Sequence, residues 1–386
     1  MRRTHPRVPY IQAVGSLDVP PPYHFPGVTV NAFVWEAPMG PIQSYCDVFF
    51  NIGEAKDRGF TYKPAAFWPY ATLLFLDYPV MISSSDAAQD IGEVPYGDRG
   101  IVTQTEVFVA IPVVRYGVGG TNLITSTELE WMLPFITVGN PMSAVCGREM
   151  LGLGKLLATI ETGESYYPHS FLGTVDLPGW RDDPEKLKRH NIQEMLRFMT
   201  VKTGPVLPTF RTSGKLRTLA SLLQSKEAGW AIDGLAALSG FVGSASLGLI
   251  PTSMRTIGLK QYRDAKQVEH ALYQALISCR AHYSNINSFE FYDEQDVEIV
   301  TCGHGSFKEI VDLITDQDPE RKGEDLITKP VAAYRFMADI DFDSMEVVYD
   351  FPIEGPPGTP NHGASGNLDA HWFRPLKGFF GPERNS

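Results

Sequence analysis

Apolar runs of strand length dominate this chain, and helical periodicity is rare. Val28 to Trp35 is β-prone, and Thr72 to Ile82 is densely apolar, interrupted only by Asp77. Val102 to Val114 reads as a strand with Glu106 inside it. Tyr116 to Asn122, with glycines at 117, 119 and 120, reads as a turn, and Leu123 to Val138 as the return. Ile277 to Tyr292, Asp296 to Thr301 and Phe336 to Tyr349 are further strand candidates. Two stretches carry a helical stripe. One starts at Asp183-Pro184, a cap followed by a first-turn proline, with Leu187, Ile192, Met195, Leu196 and Met199 on one face. The other runs from Asp264 to about Leu276, with Val268, Leu272 and Leu276 aligned. The first 27 residues are rich in proline and read as extended. Glu36 to Tyr70 is a variable-looking stretch carrying Phe49, Phe50, Phe60 and Phe67, and Ser83 to Gly100 reads as a loop. Gly355 to Ser386 reads as an irregular tail carrying Trp372, Phe373, Phe379 and Phe380. No internal repeat is present. The pattern predicts a β-dominated α+β chain with a few helices.

Composition narrows the function classes. A net charge of −12, from 33 basic and 45 acidic residues, argues against a nucleic-acid or anionic-membrane surface. The most apolar stretch, Trp230 to Ile250, contains Asp233, three serines and four glycines, so a buried core segment is expected there rather than a membrane helix. No secretory signal follows the basic start. Cys46, Cys146, Cys279 and Cys302 are far apart and form no CxxC pair, which suits a reducing, cytoplasmic compartment.

The segment with chemical content is Cys146-Gly147-Arg148-Glu149-Met150-Leu151-Gly152-Leu153-Gly154-Lys155-Leu156-Leu157. A phosphate-binding loop would need glycine where Glu149 stands and Ser or Thr where Leu156 stands. What remains is a lysine among apolar neighbours. Burial disfavours an ammonium, and a free amine can attack a ketone to form a Schiff base. The alternative is a lysine that carries its charged head out to solvent from an apolar patch. Local sequence leaves both open.

Gly147-Arg148-Glu149, five residues, then Lys155 resembles the active-site motif of the acetoacetate decarboxylase family, with Lys155 at the Schiff-base position. Leu133-Pro134-Phe135-Ile136-Thr137-Val138-Gly139-Asn140 matches the strand leading into it. Thr105-Glu106 and Ala110-Ile111-Pro112-Val113 match upstream. Ala338-Asp339-Ile340 and Glu346-Val347-Val348-Tyr349-Asp350 match near the C-terminus, and Pro22-Tyr23-His24-Phe25 near the N-terminus. The resemblance breaks over about residues 165–270, where this chain is longer. It implies one domain over residues 1–386, with an enlarged insert at about 165–270 and the irregular tail at 355–386. It also implies a closed antiparallel β cone with flanking helices, and a homo-oligomer.

The same resemblance implies a Schiff-base lyase acting on a small keto acid or other carbonyl compound, with no metal or cofactor. Lys155 is then the nucleophile and Glu106 the proton-transfer group, with Asp77, Arg148, Glu149 and Val28 around the substrate. Arg148 and Glu149 read more readily as an ion pair bracing the loop. Two positions depart from the family. Leu156 stands where a second lysine adjoins the nucleophile, and Val28 stands where an active-site arginine is found. Activation of Lys155 must then come from desolvation, and acetoacetate itself is not implied as substrate. Decarboxylation of a β-keto acid is the leading expectation. Aldol or dehydration chemistry on pyruvate-like substrates uses the same iminium, and a ligand-binding cone without catalysis is the third reading. Cys302-Gly303-His304 offers two metal ligands with no third nearby, and His362 and His371 read as loop residues.

Overall fold

The computed structural model describes residues 19–66, 68–84, 102–119, 124–164, 169–178, 195–207, 253–303, 305–315 and 317–351. In chain order its strands begin with β1 (Tyr23–Glu36), β2 (Phe60–Pro64), β3 (Tyr70–Ser83), β4 (Val102–Val118) and β5 (Ile124–Val138). They continue with β6 (Leu156–Leu157), β7 (Thr159–Glu164), β8 (Phe171–Pro178), β9 (Met195–Lys202), β10 (Ser253–Arg263) and β11 (Ala271–Phe291). The last are β12 (Glu298–Cys302), β13 (Glu320–Lys322), β14 (Asp325–Thr328), β15 (Ala332–Phe342) and β16 (Glu346–Asp350). Among the described residues four α-helices accompany them, α1 (Met39–Phe49), α2 (Ala55–Arg58), α3 (Pro141–Glu149) and α4 (Gly305–Ile314), with one 3-10 turn at Glu294–Asp296.

Seven strands close on themselves in the order β4-β3-β1-β15-β11-β10-β5 and back to β4. The expected closed, β-dominated architecture is therefore present. It is not antiparallel throughout: β10 meets β5 in parallel, through only Thr256↔Trp131 and Ile257↔Met132. A second sheet, β13-β14-β12-β9-β8-β7, packs outside the barrel. Barrel strands are therefore buried on both faces, which explains their nearly continuous apolar runs. On β4, Glu106, Phe108 and Ala110 face the interior, while Val107, Val109 and Ile111 face the outer core with Phe171, Phe198 and Ile299.

A bulge in β1 sets the phase of its side chains. Pairing with β15 shifts between Phe25 and Val28, where Gly27 adopts φ +66 and donates its N–H to Asp339 Oδ1 at 2.7 Å. Tyr23 and Phe25 before the bulge, and Val28, Val30 and Ala32 after it, consequently join the same interior cluster.

Both helical stripes resolve differently. Residues 195–199 belong to β9, and the rest of the first stripe lies outside the described residues. Residues 264–270 form the turn of the β10–β11 hairpin, and β11 begins at Ala271. Val268 and Leu272 are 51% and 52% exposed, so that stripe is not a buried face. Long-range pairing with β10 overrides the local period. Conversely, two helical stripes passed over in the sequence, Met39, Ile42, Cys46 and Phe49 in α1 and Ile310, Val311 and Ile314 in α4, form helices that bury Ile42, Cys46, Val311 and Ile314. The region expected as an insert supplies β8 and β9 to the outer sheet and β10 to the barrel. Trp230 to Ile250, His304, His362, His371 and the 355–386 tail lie outside the described residues.

The short parallel seam is stitched by charge. Glu130 on β5 is fully buried, and its Oε2 accepts from Tyr62 Oη at 2.6 Å. Arg115 Nε lies 3.5 Å and Arg255 Nη1 4.0 Å from its other oxygen. Arg255 also bridges Glu128 at 2.9 Å and Glu346 at 2.6 Å, which ties β10 to β5 and β16. Burial outweighs these partners and holds the Glu130 carboxyl above its ordinary value of 4.5. A raised acid favours the folded state while protonated, and that contribution fades as pH rises from the unfolded value through the folded one. Glu130→Gln has no such slope. Denaturation curves from pH 4 to 8 are expected to show the variant gaining stability relative to the parent as pH rises; the opposite trend would contradict this assignment.

Candidate active site

The chain reaches Lys155 by a short excursion from the barrel. After β5, Asn140 caps α3, its side chain accepting from Met142 N at 2.9 Å and Ser143 N at 3.4 Å, and Pro141 opens the first turn. The helix ends near Glu149, and the loop returns through Gly152 at φ +61. A side chain at 152 would also strike Ile277 and Lys260, so this turn needs glycine twice over. The chain then pairs β6 alongside β5, with Thr137↔Leu156 and Val138↔Leu157. Since Val138 is also opposite Glu106 on β4, the residue just before β6 arrives beside Glu106.

That residue is Lys155. Its side chain turns into the barrel interior and is 5% exposed, as is Glu106. Lys155 Nζ lies 2.8 Å from Glu106 Oε2 and 3.2 Å from Ser143 Oγ. Gln104 Nε2 donates to the same Glu106 oxygen at 3.1 Å. The cavity around them is walled by Phe25, Leu76, Met81, Phe108, Leu153 and Phe342, with Tyr78, Thr256 and Cys146 as polar intrusions. Among the described lining residues, Lys155 is the one cation and Glu106 the one carboxylate. A buried ion pair is a weak source of net stability, and removing one partner typically costs about 3–5 kcal/mol because the other charge is stranded. Burial together with the proximity of Glu106 pushes the Tyr78 phenol well above its ordinary range, so it stays a neutral O–H donor.

The other candidates lie elsewhere. Asp77 sits between Leu76 and Tyr78 on β3 and so faces away from the cavity. It lines a separate polar pocket with Thr29, Asn31, Glu164 and His169, accepts from Thr105 Oγ1 at 3.5 Å, and is pushed up by burial. Its expected place around the substrate is thereby corrected. Val28 is fully buried in the interior cluster but does not line the cavity. Arg148 is exposed, and neither it nor Glu149 is part of the cavity wall. The end of α3 is instead fastened to β10, where Tyr262 Oη donates to the Glu149 carbonyl and Lys260 Nζ to the Met150 carbonyl at 3.3 Å. Leu156 is 43% exposed, turned away from the amine that precedes it.

Gln104, Ser143 and Tyr78 were not singled out in the sequence, although strand alternation places Gln104 on the face of Glu106. No group of three or more His, Cys, Asp or Glu side chains arranged to hold a metal occurs among the described residues. The described cysteines are free thiols, and no described helix is long and apolar enough to cross a membrane.

Gly147 gives Lys155 its path. A Cβ there would lie 2.4 Å from Lys155 Cδ and 2.7 Å from Cε, inside any allowed contact. A Cβ at Gly154 would meet nothing within 4 Å. Gly147→Ala is therefore expected to cost about 1–3 kcal/mol by overpacking, and Gly154→Ala to stay within about 0.5 kcal/mol of the parent. Urea denaturation of the two variants checks this; equal stabilities would refute the packing.

No family model matches the chain, and no curated protein does. Among solved structures, the chain is similar to the acetoacetate decarboxylase of Legionella pneumophila subsp. pneumophila, at 11% identity and TM-score 0.49, covering 90% of this chain and 94% of that one. It is also similar to a second acetoacetate decarboxylase structure, at 13% identity and TM-score 0.46, covering 88% of this chain and 98% of that one.

Proposed function

We propose that this protein is a Schiff-base lyase that decarboxylates a β-keto acid, with Lys155 as nucleophile and Glu106 as proton-transfer group. The observation that carries this reading is the 2.8 Å contact between a buried amine and a buried carboxylate at the wall of an apolar cavity.

The steps follow from that contact. Glu106 takes a proton from the Lys155 ammonium, and the free amine adds to the ketone carbon to give a carbinolamine. Glu106 returns a proton to the departing hydroxyl, water leaves, and an iminium forms. The bond to the carboxylate carbon then breaks, carbon dioxide departs, and its electron pair enters the new carbon–carbon double bond of the enamine as the iminium nitrogen becomes neutral. A proton drawn from water through Glu106 reaches the enamine carbon and regenerates the iminium, and water then hydrolyses it to release the ketone and restore the Lys155 ammonium. Ser143, 3.2 Å from the amine, offers a second hydrogen bond that orients the nitrogen. The apolar wall favours decarboxylation because a substrate carboxylate finds, among the described lining residues, no cationic side chain besides the amine that has become the iminium.

The test is carbon dioxide release from a panel of β-keto acids, run beside exchange of a heavy-oxygen label between water and the product ketone. Lys155→Ala is expected to fall to the uncatalysed rate in both assays. Glu106→Gln is expected to lose about 10²–10⁴-fold in turnover, the usual range for a positioned acid–base group. Exchange without carbon dioxide release would replace decarboxylation with aldol or dehydration chemistry on the same iminium. Absence of exchange would remove the Schiff base itself.

A further inference from the structure

Gln104 stands two residues before Glu106 on β4, on the same face, and its side chain forms part of the cavity wall at 7% exposure. Its Nε2 donates to Glu106 Oε2 at 3.1 Å. That contact fixes the sense of the amide. Turned over, its carbonyl oxygen would face a carboxylate oxygen, acceptor against acceptor. Oε1 is thus directed elsewhere, and it is buried with no hydrogen-bond partner among the described residues. A buried acceptor left unpaired is destabilising, a deficit that a donor on a bound molecule removes. Because Gln104 and Lys155 share one carboxylate oxygen, such a donor lies on the substrate near the ketone that Lys155 attacks.

We propose that Gln104 is a substrate-recognition residue, and that the substrate is a carbonyl compound with a hydroxyl or N–H donor close to its ketone rather than a plain alkyl ketone. This rests on Lys155 acting as the Schiff-base amine. The amide also holds Glu106 in place across the change from ammonium to iminium, so its loss lowers turnover generally. Recognition is read from a ratio that such a general loss does not move.

Acetone and hydroxyacetone differ by one hydroxyl beside the ketone, and both exchange their carbonyl oxygen with water through an imine. The measurement is kcat/KM for enzyme-dependent exchange of a heavy-oxygen label in each, relative to the uncatalysed rate, for the parent, Gln104→Leu, Gln104→Met and Lys155→Ala. The parent is expected to favour hydroxyacetone by roughly 10- to 100-fold, as expected for a site acceptor that one ligand satisfies and the other leaves unpaired. In both Gln104 variants the ratio is expected to fall below about threefold, by loss of that same hydrogen bond. A parent without this preference, or a preference that survives both substitutions, overturns the proposal while leaving the Schiff base intact. Exchange of neither ketone, or equal exchange by Lys155→Ala, overturns the Schiff base and this inference with it.

Discussion

The site depends on keeping one ammonium and one carboxylate in contact where water has little access. Hydrophobic side chains of similar volume would fill the same space at less cost, since each buried charge must recover its hydration from its partner. Lys155 and Glu106 recover it from each other, with Ser143 and Gln104 each supplying one further hydrogen bond. Ion pairs of this kind, walled by Phe25, Leu76, Phe108 and Phe342, are where proton transfer and nucleophilic attack are most readily combined.

The barrel enforces that contact by register. Glu106 is opposite Val138, Val138 is paired with Leu157, and Lys155 stands two residues before Leu157. Between Val138 and Lys155 the chain makes a capped helix and a glycine turn whose lengths leave no freedom in where the lysine arrives. Gly147 clears the path of its methylenes, and Gly152 allows the turn against β10. The weakest join in the ring, the parallel seam of β5 and β10, lies under the ion network of Glu128, Glu130, Arg115 and Arg255. Placement of the Lys155–Glu106 pair and closure of the barrel are therefore one problem, and β5 solves both.

Much of this was legible in the amino-acid sequence. Strands buried on both faces leave long apolar runs, so β1, β3, β4, β5 and β11 could be read directly. Lys155 and Glu106 stood out through an ordered set of short motifs. The failures have identifiable causes. Val268, Leu272 and Leu276 satisfy a helical period by spacing alone, and only pairing with β10 decides against it. Asp77 lay in the right strand but on the wrong face, a one-residue error that alternation turns into a change of compartment. Arg148 and Glu149 do not touch the cavity, and the helix end beside them is held to β10 through the backbone carbonyls of Glu149 and Met150. Gln104 required knowing that Glu106 faces inward. α1 and α4 carry short apolar stripes at helical spacing, Met39, Ile42, Cys46 and Phe49 in one and Ile310, Val311 and Ile314 in the other, and were readable but overlooked among the longer strand runs.

The central claim is that the amine of Lys155 forms the covalent link to substrate. Reduction with borohydride in the presence of a keto acid or ketone, followed by peptide mapping, tests it most directly. The account predicts a stable adduct on the peptide that contains Lys155, absent when borohydride is added before the carbonyl compound and absent in Lys155→Ala. An adduct on any other lysine, or no adduct with any carbonyl compound tried, would contradict it.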